Sequence, residues 1–508
     1  MKQATLFKVV LVGVLACVSA LLVGAEDRYL YFTWEVTYGT VYPLGFAQQG
    51  ILINGQFPGP TLDAITNDNI LVNVINKLDE PFLITWNGIK QRRTSWEDGV
   101  LGTNCPIPPN TNWTYKFQVK DQIGTYNYFP STKLQRVAGG FGAFNIAQRS
   151  VISIPYPAPA AEFTILVSDW YNTNHKLLSQ RLDAGVPLPF PIALLINGQQ
   201  STSVFTAQQG KTYKFRVSNV GIATCINLRI QGHSLKVIEV EGSHTIQEVY
   251  ESFDVHVGQS VAFLVTLNGS PKDYYIVASS RFSRKNLTAI ATLRYEGSNS
   301  KASGPLPPPP SFQLHGSMKQ ARTIRLNLTA NAARPNPQGS FHYGTIKITR
   351  TIILENSEAR INGKRRYAVN GISHVNPETP LKLADWFGIS GVFDLNIIKD
   401  VPPPSGTPAK QGASVIGLVL HDFIEIVFQN NENALQSWHM DGSSFYVVGA
   451  IMVALDNKGM WNLRSAIWGR QYLGQELYLM VDNGERSILT ETNIPSNALL
   501  CGKAKAHN

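Results

Sequence analysis

Asn112-Trp113-Thr114-Tyr115-Lys116-Phe117-Gln118-Val119 sets a large apolar side chain at every second position. Successive side chains of an extended chain point to opposite faces, so Trp113, Tyr115, Phe117 and Val119 share one apolar face, and the stretch reads as a half-buried strand. Tyr213, Phe215 and Val217 repeat the pattern, again between turn-rich segments. Long stretches with helical spacing are scarce, and Asn174 to Leu182 is the best short one. A sheet with one apolar face must bury it against another layer, so the expectation is an all-β chain of packed sandwiches.

Working outward, two proline-rich stretches interrupt the strand pattern: Pro155-Tyr156-Pro157-Ala158-Pro159 and Gly304-Pro305-Leu306-Pro307-Pro308-Pro309-Pro310. Proline breaks sheet ladders and stiffens linkers, so boundaries are expected at both. The expected units are 26–153, 160–300 and 316–508, with 301–315 as a Pro-rich linker. A short turn recurs in each third, at Ile53-Asn54-Gly55, Ile196-Asn197-Gly198 and Val369-Asn370-Gly371, which suggests three copies of one unit.

Lys2 and Lys8, the apolar run Val9 to Val23, and the small residues Gly24 and Ala25 follow the order of a secretory signal peptide over 1–25. The run has 15 residues, short of the roughly 20 a spanning helix needs. The C-terminus is polar, without the hydrophobic tail of a lipid-anchor signal. The expected product is secreted, with no membrane anchor. Removing Lys2 and Lys8 from the formal charge of +9 leaves +7, spread along the chain apart from Lys364-Arg365-Arg366. Such a balance suits an acidic extracellular polymer such as pectin better than nucleic acid. Sequons at Asn112, Asn268, Asn286 and Asn327 fit a secreted glycoprotein. Cys17 leaves with the leader, and Cys105, Cys225 and Cys501 allow one disulfide and one free thiol.

Several stretches resemble the blue-copper oxidases of the ascorbate oxidase and laccase type. They include Trp34-Glu35-Val36, Ile53-Asn54-Gly55-Gln56-Phe57-Pro58-Gly59-Pro60-Thr61-Leu62, Trp96-Glu97-Asp98-Gly99 and Trp438-His439-Met440-Asp441-Gly442. Asp169-Trp170-Tyr171-Asn172-Thr173-Asn174-His175-Lys176, Arg470-Gln471-Tyr472-Leu473-Gly474-Gln475 and Asn497-Ala498-Leu499-Leu500-Cys501-Gly502 are similar to the skewed-growth-similar and pollen-specific ascorbate-oxidase-like proteins of plants. The resemblance implies three consecutive cupredoxin-like Greek-key β-sandwich or barrel domains. It also implies a cell-wall or apoplastic location and a role in directional or tip growth, of the pollen-tube type.

Copper chemistry in that family needs a Cys thiolate, two His and an axial Met at the blue site, and eight further His, in His-x-His pairs, at a three-copper cluster. This chain has ten His, none before His175, and no His-x-His. On the matched motifs, the expected His-Trp-His reads Thr85-Trp86-Asn87, and the second pair falls on Phe129 and Ser131. The third motif falls on Gln436, His439 and Asp441, and the expected His-Cys-His on Arg464-Ser465-Ala466. The remaining blue-site positions fall on Arg470 and Gln475. Only His439 keeps a ligand type, and it is read as a packed, hydrogen-bonded core residue. Gln and Ser are poor substitutes for imidazole and thiolate, and Arg is a permanent cation. The expectation is therefore no catalytic residues and no copper. Arg464, Arg470 and Asp441 are expected to fill the space as a buried polar network at the junction of the first and third units.

The resemblance also pairs Cys105 with Cys501 and leaves Cys225 as a small buried hydrophobe. Between Gly449 and Asp456 the family carries a much longer segment than Ala450 to Leu455, so the third unit is shortened near 450–455, by a true deletion or a gene-model error, leaving an exposed sheet edge. Two rival functions remain. One is a copper-dependent oxidoreductase of the ascorbate oxidase or laccase type with residual copper; the other is a carbohydrate-active enzyme, for which no carboxylate pair stands out. Asp254 and His256 share a strand face and read as an ordinary polar pair.

Overall fold

The computed structural model describes residues 28–311, 313–327, 330, 346–447 and 449–507. The proposed leader over 1–25 lies outside them.

Asn54 and Gly55 both take positive φ, 51° and 71°, as do Asn197 and Gly198 (48°, 78°) and Asn370 and Gly371 (47°, 75°). Paired left-handed residues of this kind favour Asn-Gly, because glycine carries no Cβ and asparagine tolerates the region. Each asparagine then does the same work: its side-chain oxygen accepts from the backbone N–H of Glu35, Leu166 and Glu355, at 2.7, 2.7 and 2.8 Å. Its amide donates to the carbonyls of Thr33, Thr164 and Ile353. The turn found three times in the sequence is thus one structural device used three times.

Each third is built from two sheets. In the first, Gln48–Ile53, Tyr29–Val41, Asn69–Asn76 and Asn112–Gln118 form one four-stranded sheet, and Leu62–Ile65, Gly142–Ala147, Gly124–Pro130 and Ile84–Asn87 form the other. The second third holds a seven- and a five-stranded sheet, the last a seven- and a four-stranded one. The same parallel pairing recurs: Tyr29–Val36 with Asn69–Asn76, Phe163–Val167 with Phe215–Asn219, and Arg350–Asn356 with Ile424–Asn430. Trp113, Tyr115 and Phe117 point into the first core with Trp34, Trp86 and Tyr128, while Tyr213, Phe215 and Val217 point into the second.

None of the six sheets closes into a barrel among the described residues, and helices His175–Asp183, Leu314–Thr323, Leu381–Phe387 and Trp468–Tyr472 interrupt the strands. The architecture is therefore a multi-domain β-sheet fold rather than a strictly all-β or barrel one. Asn174 caps the first helix by accepting from the Lys176 N–H at 2.8 Å. The Leu314–Thr323 helix docks on the second unit, where Gln320 donates to the Ser252 carbonyl and accepts from the Asp254 N–H, both at 2.9 Å.

Cys105 and Cys501 are bridged. The C-terminal tail returns to the first unit, where Trp96 and Trp113 donate to the carbonyls of Thr492 and Asn497, each at 3.0 Å. Buried Lys382 pairs with Glu491 at 2.7 Å beneath Trp96. In the last third, Phe445–Val447 and Ile451–Ala454 form a tight hairpin, so Phe445–Val447 is the terminal strand of its sheet. Its Val447 is 75 % exposed. Among the described residues no helix is long and apolar enough to cross a membrane.

Candidate functional site: a buried ion network between the first and third units

Strands Trp438–Met440 and Gly459–Ser465 run antiparallel with His439 opposite Arg464. Asp441 follows directly, and its N–H donates to the Asn462 carbonyl at 2.9 Å. This register brings three unlike groups together: His439 Nε2 lies 2.7 Å from Asp441 Oδ1, and Arg464 Nη1 donates to Asp441 Oδ2. Arg464 and Asp441 side chains are each 2 % exposed. Gly442 lies against the Trp461 ring with φ +78°, where a Cβ would stand 2.1 Å from a ring carbon, so the strand turns away from Asp441 only with glycine there.

The network extends through amides. Arg464 Nη1 also donates to Asn462 at 3.0 Å, Asn462 to Glu476 at 3.0 Å, and Gln471 and Asn376 to the same Glu476 carboxylate at 2.9 and 3.2 Å. Sequence reasoning missed Glu476, Asn462 and Asn376; only the strand alternation placing Asn462 on the Arg464 face carried any signal. Asp98, in the first unit, is buried with Oδ2 unpartnered. Burial and the nearby Asp441 charge push its carboxyl well above the usual carboxylate range, against the pull of Arg464. Asp441 is penalised by burial yet held below the usual range, chiefly by Arg464 and then His439. Burial and Arg464 lower the His439 imidazole, keeping it neutral. Arg464, raised by Asp441, stays a cation.

Arg470 does not join this network. It pairs with Glu432 at 2.6 Å, donates to Gln475 at 2.8 Å and lies 4.2 Å from the Tyr367 ring centroid. Gln475 donates on to Gln436 at 2.8 Å. The expected single network of two guanidiniums and one carboxylate is thus two clusters, because Arg470 lies on the short helix after the strand and turns toward Glu432. Ser465 accepts from the Ile467 N–H at 3.2 Å, and the Ala466 N–H donates to the Ser437 carbonyl at 2.7 Å.

In the first unit, Thr85 stands opposite Phe129 and Asn87 opposite Asn127. Thr85 is buried with its hydroxyl unpartnered, and Asn87 donates to the Gly258 carbonyl at 3.3 Å. Phe129 packs under Arg136, 3.7 Å from the guanidinium carbon, and edge-on to Trp468. Ser131 donates to the Gly99 carbonyl at 2.5 Å. Gly99, with φ +72°, has no room for a Cβ against the Ile84 carbonyl, and this close approach delivers Asp98 to the junction.

Copper does not fit this set of side chains. The one imidazole is engaged by a carboxylate, that carboxylate is neutralised by a buried guanidinium, and the neighbouring donors are hydroxyls and amides. Among the described residues no three His, Cys, Asp or Glu are grouped to hold a metal ion. The cavity between Ser131, Arg464, Trp468, Glu476 and Tyr478 measures about 10 Å³, room for one water at most. Asn112, Asn268 and Asn286 are exposed, Asn327 is half-buried, and Thr329 of its sequon lies outside the described residues.

Profiles described as multicopper oxidase match residues 35–151, 161–298 and 378–450. The chain belongs to the multicopper oxidase family. Within it, the chain is 47 % identical to the "L-ascorbate oxidase homolog" of Nicotiana tabacum, with 98 % of each covered, and 46 % identical to "Monocopper oxidase-like protein SKU5" of Arabidopsis thaliana, covering 94 % of this chain and 90 % of that one. The tobacco alignment runs over 541 positions against 508 residues here, so at least 33 positions of the relative have no counterpart. The solved structure of Fet3p, a multicopper oxidase that functions in iron import, superposes with a TM-score of 0.73 over 89 % of this chain and 90 % of that one, at 19 % identity, a likeness of fold.

Proposed function

We propose that the chain is a secreted, non-catalytic member of its family that works in the plant cell wall, in directional or tip growth, with acidic pectin as its partner. We take it as three cupredoxin-like units, 26–153, 160–300 and 316–508, in which Thr85, Asn87, Phe129, Ser131, Gln436, Asp441, Arg464, Ser465, Ala466, Arg470 and Gln475 occupy the positions of former copper ligands. The observation that carries the reading is the Arg464–Asp441–His439 cluster: a buried cation already neutralises the carboxylate and faces the one remaining imidazole. A second cation introduced there meets repulsion in a low-dielectric setting. The net positive charge favours retention on a polyanion.

Elemental analysis and oxygen uptake test the first half. The purified secreted protein is expected to show no blue absorption and no ascorbate- or phenol-dependent oxygen consumption; more than one tightly held copper per chain, with dioxygen reduction, overturns the reading. Retention on immobilised polygalacturonate that weakens with salt tests the partner. Free passage through that column at low ionic strength removes pectin from the account.

A further inference from the structure

Strand Ile226–Ile230 pairs antiparallel with Phe253–Val255, Ile226 opposite Val255 and Asn227 opposite Asp254. One step further along this pairing Cys225 stands opposite His256, and its sulfur lies 3.2 Å from the imidazole Nδ1. Cys225 is the free cysteine of the described chain and is only partly buried. The His256 ring lies parallel to that of Phe282, at 10° and 6.5 Å. Asp254 does not serve the imidazole as a triad acid would: it accepts from Asn227 at 2.8 Å and Arg281 at 3.1 Å.

We propose that Cys225 and His256 together form a two-donor site for a soft, thiophilic metal ion such as zinc or cuprous copper, with solvent completing the coordination. The site is separate from the Arg464 network, and the inference does not rest on the proposed function.

Geometry supports it first. With Zn–S near 2.3 Å and Zn–N near 2.0 Å at tetrahedral angles, two such donors stand about 3.5 Å apart, so the observed spacing of 3.2 Å needs an adjustment of a few tenths of an ångström. Donor chemistry supports it second, since thiolate with imidazole selects zinc and cuprous copper over magnesium or calcium. The ion takes the place of the thiol proton: the S–H bond breaks, a sulfur–metal bond forms, His256 gives its Nδ1 lone pair, and one proton leaves to water. Because binding releases the thiol proton, uptake weakens as pH falls. Asp254 and Arg281, the charged groups facing both donors, are already paired with each other.

The position has a structural consequence. Two residues beyond His256, the Gly258 carbonyl accepts from Asn87 of the first unit, and Ser437 of the third donates to the Val257 carbonyl at 2.9 Å. An ion on His256 therefore anchors a loop of the second unit that touches both others.

The test is a titration of the intact secreted protein with cobaltous ion, read as the sulfur-to-cobalt charge-transfer band in the near ultraviolet and as proton release. The expected result is one ion per chain, one proton released, displacement by zinc, and loss of the band in both Cys225→Ser and His256→Gln, with far-ultraviolet circular dichroism confirming that the variants fold. A wild-type protein with a free thiol and no band overturns the proposal. So does a band that survives Cys225→Ser, or mass spectrometry that finds Cys225 in a disulfide in the secreted protein. None of these readouts depends on oxygen consumption, so failure here is distinct from failure of the proposed function.

Discussion

Replacing Arg464 by Met removes the cation that neutralises Asp441 while keeping most of the buried stem. Both side chains are 2 % exposed, so Asp441 is left as a buried anion whose remaining partner is the His439 imidazole at 2.7 Å. An ion pair at contact distance with an effective dielectric of 20 is worth about 4 kcal/mol, and breaking a buried pair costs about 3–5 kcal/mol in practice. Because His439 still serves Asp441, the lower end, about 3 kcal/mol, is expected for Arg464→Met. The double variant Arg464→Met/Asp441→Asn removes both charges and is expected to recover most of that loss. The pH dependence adds a sign. In the parent, Asp441 titrates below the ordinary carboxylate value, so its contribution is present above the unfolded value and is lost as pH falls through the lower folded one. Without Arg464 the dominant influence is burial, which raises the folded value, so the variant gains stability relative to the parent as the medium is acidified. Urea unfolding followed by tryptophan fluorescence at neutral and acidic pH, with hydrogen exchange at Leu463 and Met440 to localise the effect, measures both. A single-variant cost below about 1 kcal/mol, or a double variant no more stable than the single one, refutes the reasoning.

Three further outcomes are expected. Cys105→Ser/Cys501→Ser releases a loop of 396 residues, and the chain-entropy relation puts the loss at about 6 kcal/mol; an unchanged unfolding midpoint counts against this. Burial pushes the Glu97 carboxyl up to about 8, from an ordinary 4.5, so stability is fully present below the unfolded value and is lost as pH rises toward 8. Glu97→Gln keeps an acceptor for the Lys116 N–H and is expected to flatten that decline, seen in thermal unfolding across the same pH range. At the sheet edge, Val447→Lys is expected to reduce self-association on concentration, read by light scattering, since a charge on an open strand opposes edge pairing.

Alternation at Trp113 to Val119, the three Asn-Gly turns and the count of histidines were legible in the chain itself, because each depends on local geometry or on the presence of an atom type. A side-chain period of two tells which face is buried, and a residue without a sulfur or imidazole cannot supply one wherever the chain takes it. What surrounds those residues is set by contacts distant in sequence. Arg464 finds Asp441 across a strand pair and Asp98 from another unit, while Arg470, six residues on, is carried by a short helix to Glu432 instead. Cys225 reads as a leftover thiol until the pairing of two strands sets it against His256. Composition decided which chemistry this protein lacks donors for. Tertiary structure alone decided which buried charges neutralise one another, since Coulomb and hydrogen-bond energies depend on separations that only the packed sheets define.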